Sequence, residues 1–268
     1  MVQIAPLPPE TRAVSATGGG ADVRREPPAV RRPPVWRELL LIVLFYAAYM
    51  ATRVILNDPD GPRDAFLHAR QILLLERSMG LDVELGLNQA LLHHEWLAVA
   101  ANLFYLSAHF AVTIGVVVWL YRHRPRHYAW LRAGIMAATG LALVGFWLYP
   151  LAPPRFLPEH GFVDPVVFFD TPGLYSSGAS TAMANQYAAM PSMHAGWAVW
   201  CGFALLLLGR ARWTRLLGVL YPAATVLVIM ATANHYVLDA VAGVALIAAG
   251  VGGSWLVHRR RRGDTASS

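Results

Sequence analysis

Two short stretches contain the residue types that nucleophilic and acid–base chemistry requires. Residues 190–194 end in His194 after a Pro-Ser pair, and residues 235–239 separate His235 from Asp239 by four positions. Residues four apart on a helix lie on the same face, so we expect Asp239 to bond one imidazole nitrogen of His235. Such a bond fixes the tautomer and makes the other nitrogen the better nucleophile. His194 would then protonate the leaving oxygen.

An anion site is predicted beside His194. Pro191 and Ser192 are typical of a helix start, where free backbone N–H groups favour an anion such as phosphate. Arg155 follows two prolines and can clamp a phosphate through two parallel hydrogen bonds. Positioning and charge stabilisation do most of the work in phosphoryl transfer, so we expect no metal and no other cofactor.

Simpler interpretations of the same residues stay open. Either histidine can be an ordinary amphipathic anchor at a membrane interface, and the His235–Asp239 pair can be a structural hydrogen bond between helices. Arg155 can bind lipid headgroups. His109 lies inside a predicted span, where an ionisable group is costly and often functional, although it can equally bond to a neighbouring helix.

The composition predicts an all-α polytopic membrane protein. Of the 268 residues 56% are hydrophobic and only 14% are charged, whereas a soluble domain averages about 25% charged residues. The apolar residues cluster in runs of roughly 20, the length of a membrane-spanning helix. Cys201 is the single cysteine, which excludes an intramolecular disulfide. The net charge of +6 comes from arginines whose placement argues against a nucleic-acid partner.

Six spans are predicted, and the arginines decide their orientation. The approximate ranges are 37–56, 97–120, 130–150, 192–208, 214–233 and 236–257. Of the 22 arginines, 17 lie at one side of the spans: before the first, between spans two and three or four and five, after the sixth, or within the first three residues of a span that starts on that side. The positive-inside rule makes that side cytoplasmic. We therefore expect both termini in the cytoplasm of a plasma-membrane protein, and a site on the extracytoplasmic face.

The chain outside the spans is predicted to form tails and outer connections. Residues 1–35 are interpreted as a disordered cytoplasmic tail, 36–258 as the six-helix membrane catalytic domain and 259–268 as a basic cytoplasmic tail. Residues 62–94 are expected to form interfacial helices above the bundle. Residues 152–190 are expected to form a long functional connection with little regular structure.

The two histidine stretches resemble the motifs of a known family. Residues 191–194, Pro-Ser-Met-His, resemble the Pro-Ser-Gly-His motif of the phosphatidic acid phosphatase type 2 superfamily, and residues 235–239 resemble its His-x-x-x-Asp motif. The nearer match is the branch of fungal inositol phosphorylceramide synthases, with Pro-Ser-Leu-His and His-Tyr-x-x-Asp. The similarity extends over about residues 40–257 in the order of the spans, with about 15 specific residues.

This resemblance implies a six-helix fold, an outer-facing site and a separate catalytic role for each of three residues. It implies that His235 is the nucleophile that forms a phosphohistidine, that Asp239 orients it, and that His194 is the acid for the leaving group and then the base for the acceptor. Two phosphate-binding cations of the family are missing. Leu148 stands where the family has a lysine, and Ile229 stands in place of its second arginine. The predicted phosphate-binding residues are Arg155, Ser192, Asn234 and Arg53.

The leading hypothesis is therefore a metal-independent lipid phosphatase or phosphotransferase that resembles inositol phosphotransferases. Its expected partners are membrane lipids, namely a lipid phosphate substrate and a polyol acceptor in the case of transfer. The sequence leaves open whether water or an alcohol accepts the phosphoryl group, and it leaves the oligomeric state open. The alternatives are a transporter or lipid flippase with a His/Asp proton relay and a scaffold for a cell-envelope assembly.

Overall fold

The structure is a computed structural model that describes residues 32–55, 61–171 and 186–264, and its regular elements are helices. The α-helices are α1 (Val35–Ile55), α2 (Gly61–Met79), α3 (Val83–Leu91), α4 (Glu95–His123), α5 (Pro125–Leu148), α6 (Pro165–Phe168), α7 (Met193–Leu208), α8 (Arg212–Ala231) and α9 (Val237–Asp264). Two short 3-10 turns, Pro154–Phe156 and Pro158–His160, follow α5. The predicted all-α class is confirmed for this part of the chain.

In the described part of the chain, four helices are long and apolar enough to cross a membrane. They are α4, α5, α8 and α9, and they coincide with four of the predicted spans. Many large apolar side chains on these helices are exposed, including Ile114, Leu148, Leu217 and Val241. Exposed apolar surface of this extent is typical of a lipid-facing bundle, so the protein is embedded in a membrane. The other two predicted spans correspond to α1 and to α7, which has only 16 residues.

The predicted tails fall largely or partly outside the described residues. The structure does not describe residues 1–31 or 265–268. At the other end of the chain α9 continues to Asp264, so no break marks the predicted start of a basic tail at residue 259. The 152–190 connection contains the two 3-10 turns and α6, and its residues 172–185 are not described.

The core of the bundle joins α4, α5, α7, α8 and α9. One cluster contains a buried residue from each of them: Leu120, Leu131, Trp200, Tyr221 and Ile247. The Trp200 indole nitrogen donates a hydrogen bond to the Leu131 carbonyl oxygen at 3.1 Å, so a large buried ring has a partner for its polar atom.

Arginines meet at the end of the bundle where α4 passes to α5 and α7 passes to α8. The Arg124 guanidinium donates to the Leu208 carbonyl oxygen at 3.0 Å. Glu38 of α1 accepts from Tyr128 at 2.7 Å and also pairs with Arg132. These contacts join helix ends that the chain separates widely, and they agree with the predicted gathering of arginines at one end.

The opposite end is covered by α2 and α3. Buried Ala65 and Leu73 of α2 pack in one cluster with Leu151, Phe162 and Tyr236. The residues predicted to form helices in the 62–94 connection are thus helical in the structure. Their packing places α2 against the chain that leads into α9.

Small residues allow α9 to lie close to the start of α7. A Cβ atom on Gly243 would overlap the backbone carbonyl oxygen of Ser192. Gly196 of α7 lies against the same stretch, since a Cβ there would come within 3.0 Å of the Gly243 carbonyl oxygen. Glycines of this kind let two helix backbones approach closely in a membrane bundle.

We predict that Gly243→Ala destabilises the protein by about 1–3 kcal/mol, the usual cost of overpacking, because the new methyl group meets backbone that cannot rotate away. Gly252→Ala on the same helix is the matched control, since nothing lies within 4 Å of the Cβ it would add. Thermal or denaturant unfolding in detergent measures both variants. Equal stability of the two variants would contradict the close approach described above.

Candidate active site

His235 and Asp239 form a buried hydrogen-bonded pair. The Nδ1 atom of His235 lies 3.2 Å from Asp239 Oδ2 and 3.2 Å from the Ala189 carbonyl oxygen. Both partners are acceptors, so Nδ1 carries the hydrogen and Nε2 carries the lone pair. The Nε2 atom is buried without a hydrogen-bond partner in the described part of the chain. This is the tautomer that a nucleophilic histidine needs.

The pair differs from the sequence expectation in one respect. His235 does not lie on a helix with Asp239, because α9 begins only at Val237. Asp239 stands in the first turn of α9, and its Oδ2 atom also accepts from the backbone nitrogen of Tyr236 at 3.1 Å. An acid at the third helical position that bonds back to the residue before the helix is half of a capping box. The contact therefore comes from helix capping and not from one helical face.

The chain between α8 and α9 turns sharply so that His235 enters the site. Ala233 has φ +50°, in the left-handed region that disfavours a non-glycine residue. After it, the backbone nitrogens of Asn234 and His235 both donate to the Ile229 carbonyl oxygen, at 3.0 and 3.2 Å. Ala233 is fully buried, and its carbonyl oxygen accepts from the Arg155 backbone nitrogen at 2.9 Å. Tertiary contacts thus hold Ala233 in its strained conformation, and this conformation directs His235 into the site.

His194 stands beside His235 at the start of α7. The two ring centroids are 5.5 Å apart. Ser192 caps α7, because its Oγ accepts from the Ala195 backbone nitrogen at 3.3 Å. The Ser192 backbone nitrogen donates to the Asp239 carbonyl oxygen at 2.8 Å. This bond ties the two histidine stretches directly to each other.

Helix α4 contributes two further rings. Tyr105 stacks on His194 with centroids 4.3 Å apart and planes at 20°. His109, one helical turn along α4, lies 4.3 Å from His194 and stacks on Trp197 at 4.5 Å. The Trp197 indole donates to Thr139 of α5 at 3.0 Å. A chain of four rings, Tyr105, His194, His109 and Trp197, therefore holds the imidazole of His194 against α4.

Sequence reasoning found only part of this stack. His109 stood out as an ionisable residue within a predicted span, but Tyr105 carried no signal among the other aromatic residues of an apolar helix. The four-residue spacing of Tyr105 and His109 places them on one face and was the one available hint. These two side chains also line a narrow pocket between α4, α7 and α8, formed by Phe104, Tyr105, His109, His194, Thr225, Val228 and Ile229.

Arg155 is buried next to the nucleophile stretch and is paired. Its Nε atom lies 3.3 Å from Asp164 Oδ2, and its Nη1 atom donates to the Asn234 side-chain oxygen. The Asn234 amide in turn donates to the Thr232 hydroxyl at 2.8 Å. Asp164 also caps α6 by accepting from the Val166 backbone nitrogen at 2.9 Å. The predicted cation is therefore close to His235, with its charge balanced by a carboxylate.

The structure does not describe the side chain of the other cation predicted to bind the phosphate, and it places a further outer arginine in an exposed ion pair. The side chain of Arg53 lies outside the described residues, although its backbone belongs to α1. Arg70 forms an exposed ion pair with Glu159 at 3.0 Å. The pKa of Glu159 is lowered, first by a backbone hydrogen bond to its own carboxylate and then by Arg70. Among the described residues, no three His, Cys, Asp or Glu side chains are grouped to hold a metal ion.

Comparison with known proteins assigns the family. A sequence profile of the PAP2 superfamily matches residues 70–252, more than half of the chain. No curated protein and no solved structure matches the chain. The matched region contains Arg155, His194, His235 and Asp239, the residues whose geometry is described above. The chain belongs to the PAP2 superfamily.

Proposed function

We propose that the protein is a membrane lipid phosphatase or phosphotransferase that acts on a lipid-linked phosphate or phosphodiester through a phosphohistidine. Membership in the PAP2 superfamily supports this class of activity. One observation carries the mechanism: Asp239 binds the Nδ1 side of His235, while Nε2 has no partner and His194 lies alongside. In this arrangement His235 is the nucleophile, Asp239 is the carboxylate that orients it, and His194 is the acid.

The reaction proceeds in two steps. Nε2 of His235 attacks phosphorus, the bond from phosphorus to the leaving oxygen breaks, and His194 gives that oxygen a proton. His194 then removes a proton from water or an alcohol, whose oxygen attacks phosphorus as the bond to Nε2 breaks. Asp239 stabilises the positive charge that forms on the imidazole in the first step. The protons balance over the cycle, because His194 loses one and recovers one.

Phosphate binding needs a rearrangement of the charges around Arg155. We propose that the phosphate takes the place of Asp164 at the guanidinium, which offers two parallel donors to an anion. Asn234 orients that guanidinium. Ser192 and the backbone N–H groups at the start of α7 add donors, and Arg53 is the proposed supplementary cation. The family's second arginine is replaced by Ile229, which is buried in an apolar cluster.

An alcohol acceptor, and so a phosphotransferase of the inositol type, is the finer form of this proposal. It is supported by the motif residues His235-Tyr236 and by Met193, an apolar residue where that branch has leucine. The reaction differs from hydrolysis only in the molecule that attacks the phosphohistidine. Purified protein incubated with phosphatidic acid, phosphatidylinositol or polyprenyl phosphate, with and without inositol, separates the two outcomes.

We also propose the membrane orientation. All six predicted spans, including α1 and the short α7, cross the plasma membrane, and α2 and α3 lie at its outer interface. The arginines at the α4–α5 and α7–α8 ends support a cytoplasmic location for that end and for both termini. The site then lies on the extracytoplasmic face, where α7 and α9 begin.

Trapping the intermediate tests the mechanism. Brief incubation with radiolabelled phosphatidic acid, phosphatidylinositol or polyprenyl phosphate should give an acid-labile, base-stable phosphoprotein that His235→Ala abolishes. His194→Ala should slow its formation by about 10²–10⁴-fold, the usual contribution of a general acid. His93→Ala, at an exposed histidine, is the control and should behave like the wild type. Full turnover in both His235→Ala and His194→Ala would overturn the mechanism, and proteoliposome flux without phosphoprotein would favour a transporter.

The ring stack predicts an effect of Tyr105. Tyr105→Leu should slow phosphoprotein formation about three- to tenfold, because an aromatic pair contributes about 0.5–1.5 kcal/mol beyond its buried area. Tyr105→Phe keeps the ring and should retain most of the rate. Trp96→Leu, at an exposed aromatic residue of α4, is the control. Equal loss in Tyr105→Phe and Tyr105→Leu would assign the effect to the hydroxyl group and not to the stack.

Cysteine labelling tests the orientation. In a Cys201→Ala background, Ser78→Cys places a thiol on exposed surface of α2, and His123→Cys places one at the exposed end of α4. A membrane-impermeant maleimide added to intact cells should label position 78 and not position 123. Permeabilised cells should show labelling at both. The reverse pattern in intact cells would contradict the proposed outer site.

A further inference from the structure

Two buried carboxyl groups from the outer helices lie next to the nucleophile stretch. Glu76 of α2 and Glu84 of α3 are both fully buried. Glu76 Oε1 accepts from the backbone nitrogen of Leu238 at 2.6 Å. Apart from the bond between the two carboxyl groups, Glu76 Oε2 and both oxygens of Glu84 have no hydrogen-bond partner among the described residues. A negative charge on Glu76 would be buried and would be repelled by Glu84 and Asp239.

Glu76 supplies a cap that the local sequence lacks. The first N–H groups of a helix have no partner within the helix and are usually bonded by the side chain just before it. The residue before α9 is Tyr236, whose ring cannot reach back to a backbone nitrogen of its own helix. Asp239 bonds the Tyr236 nitrogen, and Glu76 bonds the Leu238 nitrogen from another helix. The turn that carries Asp239 is thus held from both sides.

The surroundings keep Glu76 protonated at neutral pH. The pKa of Glu76 is raised from 4.5 to about 9, first by burial, then by a hydrogen bond with Glu84 and by the charges of Glu84 and Asp239. The other titratable groups at this place are His235, which pairs with Asp239, and Tyr236, whose hydroxyl is buried. Glu76 therefore donates its proton to Glu84 while its other oxygen accepts from Leu238.

The sign of the pH dependence follows from this shift. Because the folded-state pKa of Glu76 lies above its ordinary value, its contribution to stability is complete below about pH 4.5 and is lost as the pH rises through about 9. Above that pH Glu76 adds a buried negative charge close to Glu84 and Asp239. The repulsion acts between α2, α3 and the first turn of α9.

We propose that Glu76, as a neutral acid that shares its proton with Glu84, is a positioning residue for the phosphoryl-transfer site. It holds the N-terminal turn of α9, and through that turn it holds Asp239 and the imidazole of His235. This inference rests on the proposed function. Glu76 lies on an outer helix and contacts no substrate. It acts only by holding His235 in position.

Two substitutions separate the neutral-acid role from a general structural role. Glu76→Gln keeps an oxygen acceptor for Leu238 and a donor for Glu84, and it cannot ionise. Glu76→Leu removes both bonds. At pH 7 we expect Glu76→Gln to keep most of the kcat, and Glu76→Leu to lose about tenfold in kcat with little change in KM, the effect of one lost buried hydrogen bond. Glu159→Gln, at the exposed acid paired with Arg70, is the matched control.

The decisive measurement is the ratio of rates against pH. Phosphoprotein formation from phosphatidic acid, phosphatidylinositol and polyprenyl phosphate is measured from pH 6 to 10 in wild type and Glu76→Gln. The ratio of variant to wild-type rate should rise as the pH passes about 9, because only wild type has an acid at position 76 that ionises. Effects of pH that both proteins share divide out of this ratio. Hydrogen exchange of the Leu238 amide gives a readout without substrate: at pH 10 the amide should be better protected in Glu76→Gln than in wild type, and no better protected at pH 7.

A flat ratio together with equal Leu238 protection at pH 10 would overturn the inference, as would a Glu76→Gln variant as impaired as Glu76→Leu at pH 7. If wild type forms a phosphoprotein at His235 but the rate ratio and the Leu238 protection do not change as expected, only the positioning role is wrong. If His235→Ala leaves turnover intact, the proposed function fails instead. Should Glu76→Leu not fold, the Glu76→Gln comparison remains decisive.

Discussion

The backbone hydrogen bond from Ser192 to the Asp239 carbonyl oxygen, 2.8 Å long, is the constraint on which the site depends. It joins the start of α7 to the first turn of α9 without any intervening side chain. It can form because Gly243 leaves the Ser192 carbonyl oxygen unobstructed. Once these two helix starts are joined, the side chains that follow them must share one small volume. That is why His194 lies beside His235, although the two residues come from different parts of the chain.

Two buried charge pairs lie near this junction. Asp239 binds the imidazole of His235, and Arg155 pairs with Asp164. A buried charge without a partner costs several kcal/mol, so the apolar surroundings require such pairing before any substrate binds. A phosphate that enters must therefore replace one of these partners and cannot simply meet a free cation. In the proposed mechanism Asp164 is the partner that is replaced.

One departure from the family motifs is explained by the same need to pair buried charges. Ile229 stands where the family has an arginine, and it packs among Ala195, Met230 and Ala240. A cation at that place would have to be buried among apolar side chains. The cation that the structure does bring near His235 comes from a different stretch, the 3-10 turn after α5, through Asn234. The chain thus places its two motif histidines near a cation from a different stretch, Arg155, which binds the phosphate in the proposed mechanism.

The sequence by itself determined the membrane class, the positions of the long apolar helices and the two histidine stretches. These follow from local patterns, because hydropathy and a four-residue spacing are read along the chain. The pairing of His235 with Asp239 was also predictable, although it arises from a helix cap and not from one helical face. The count of arginines predicted which helix ends gather together, and contacts such as that of Arg124 with Leu208 show that gathering.

Only the tertiary structure decided which distant side chains complete the site. Tyr105 and His109 reach His194 because α4 packs against α7, and Glu76 reaches Leu238 because α2 lies over the start of α9. Asp164 and Arg155 meet through the folding of the outer connection. No local pattern encodes these contacts, since each depends on how two elements pack. The physical reason is the same in each case: a buried polar group takes its partner from whichever element the packing brings near.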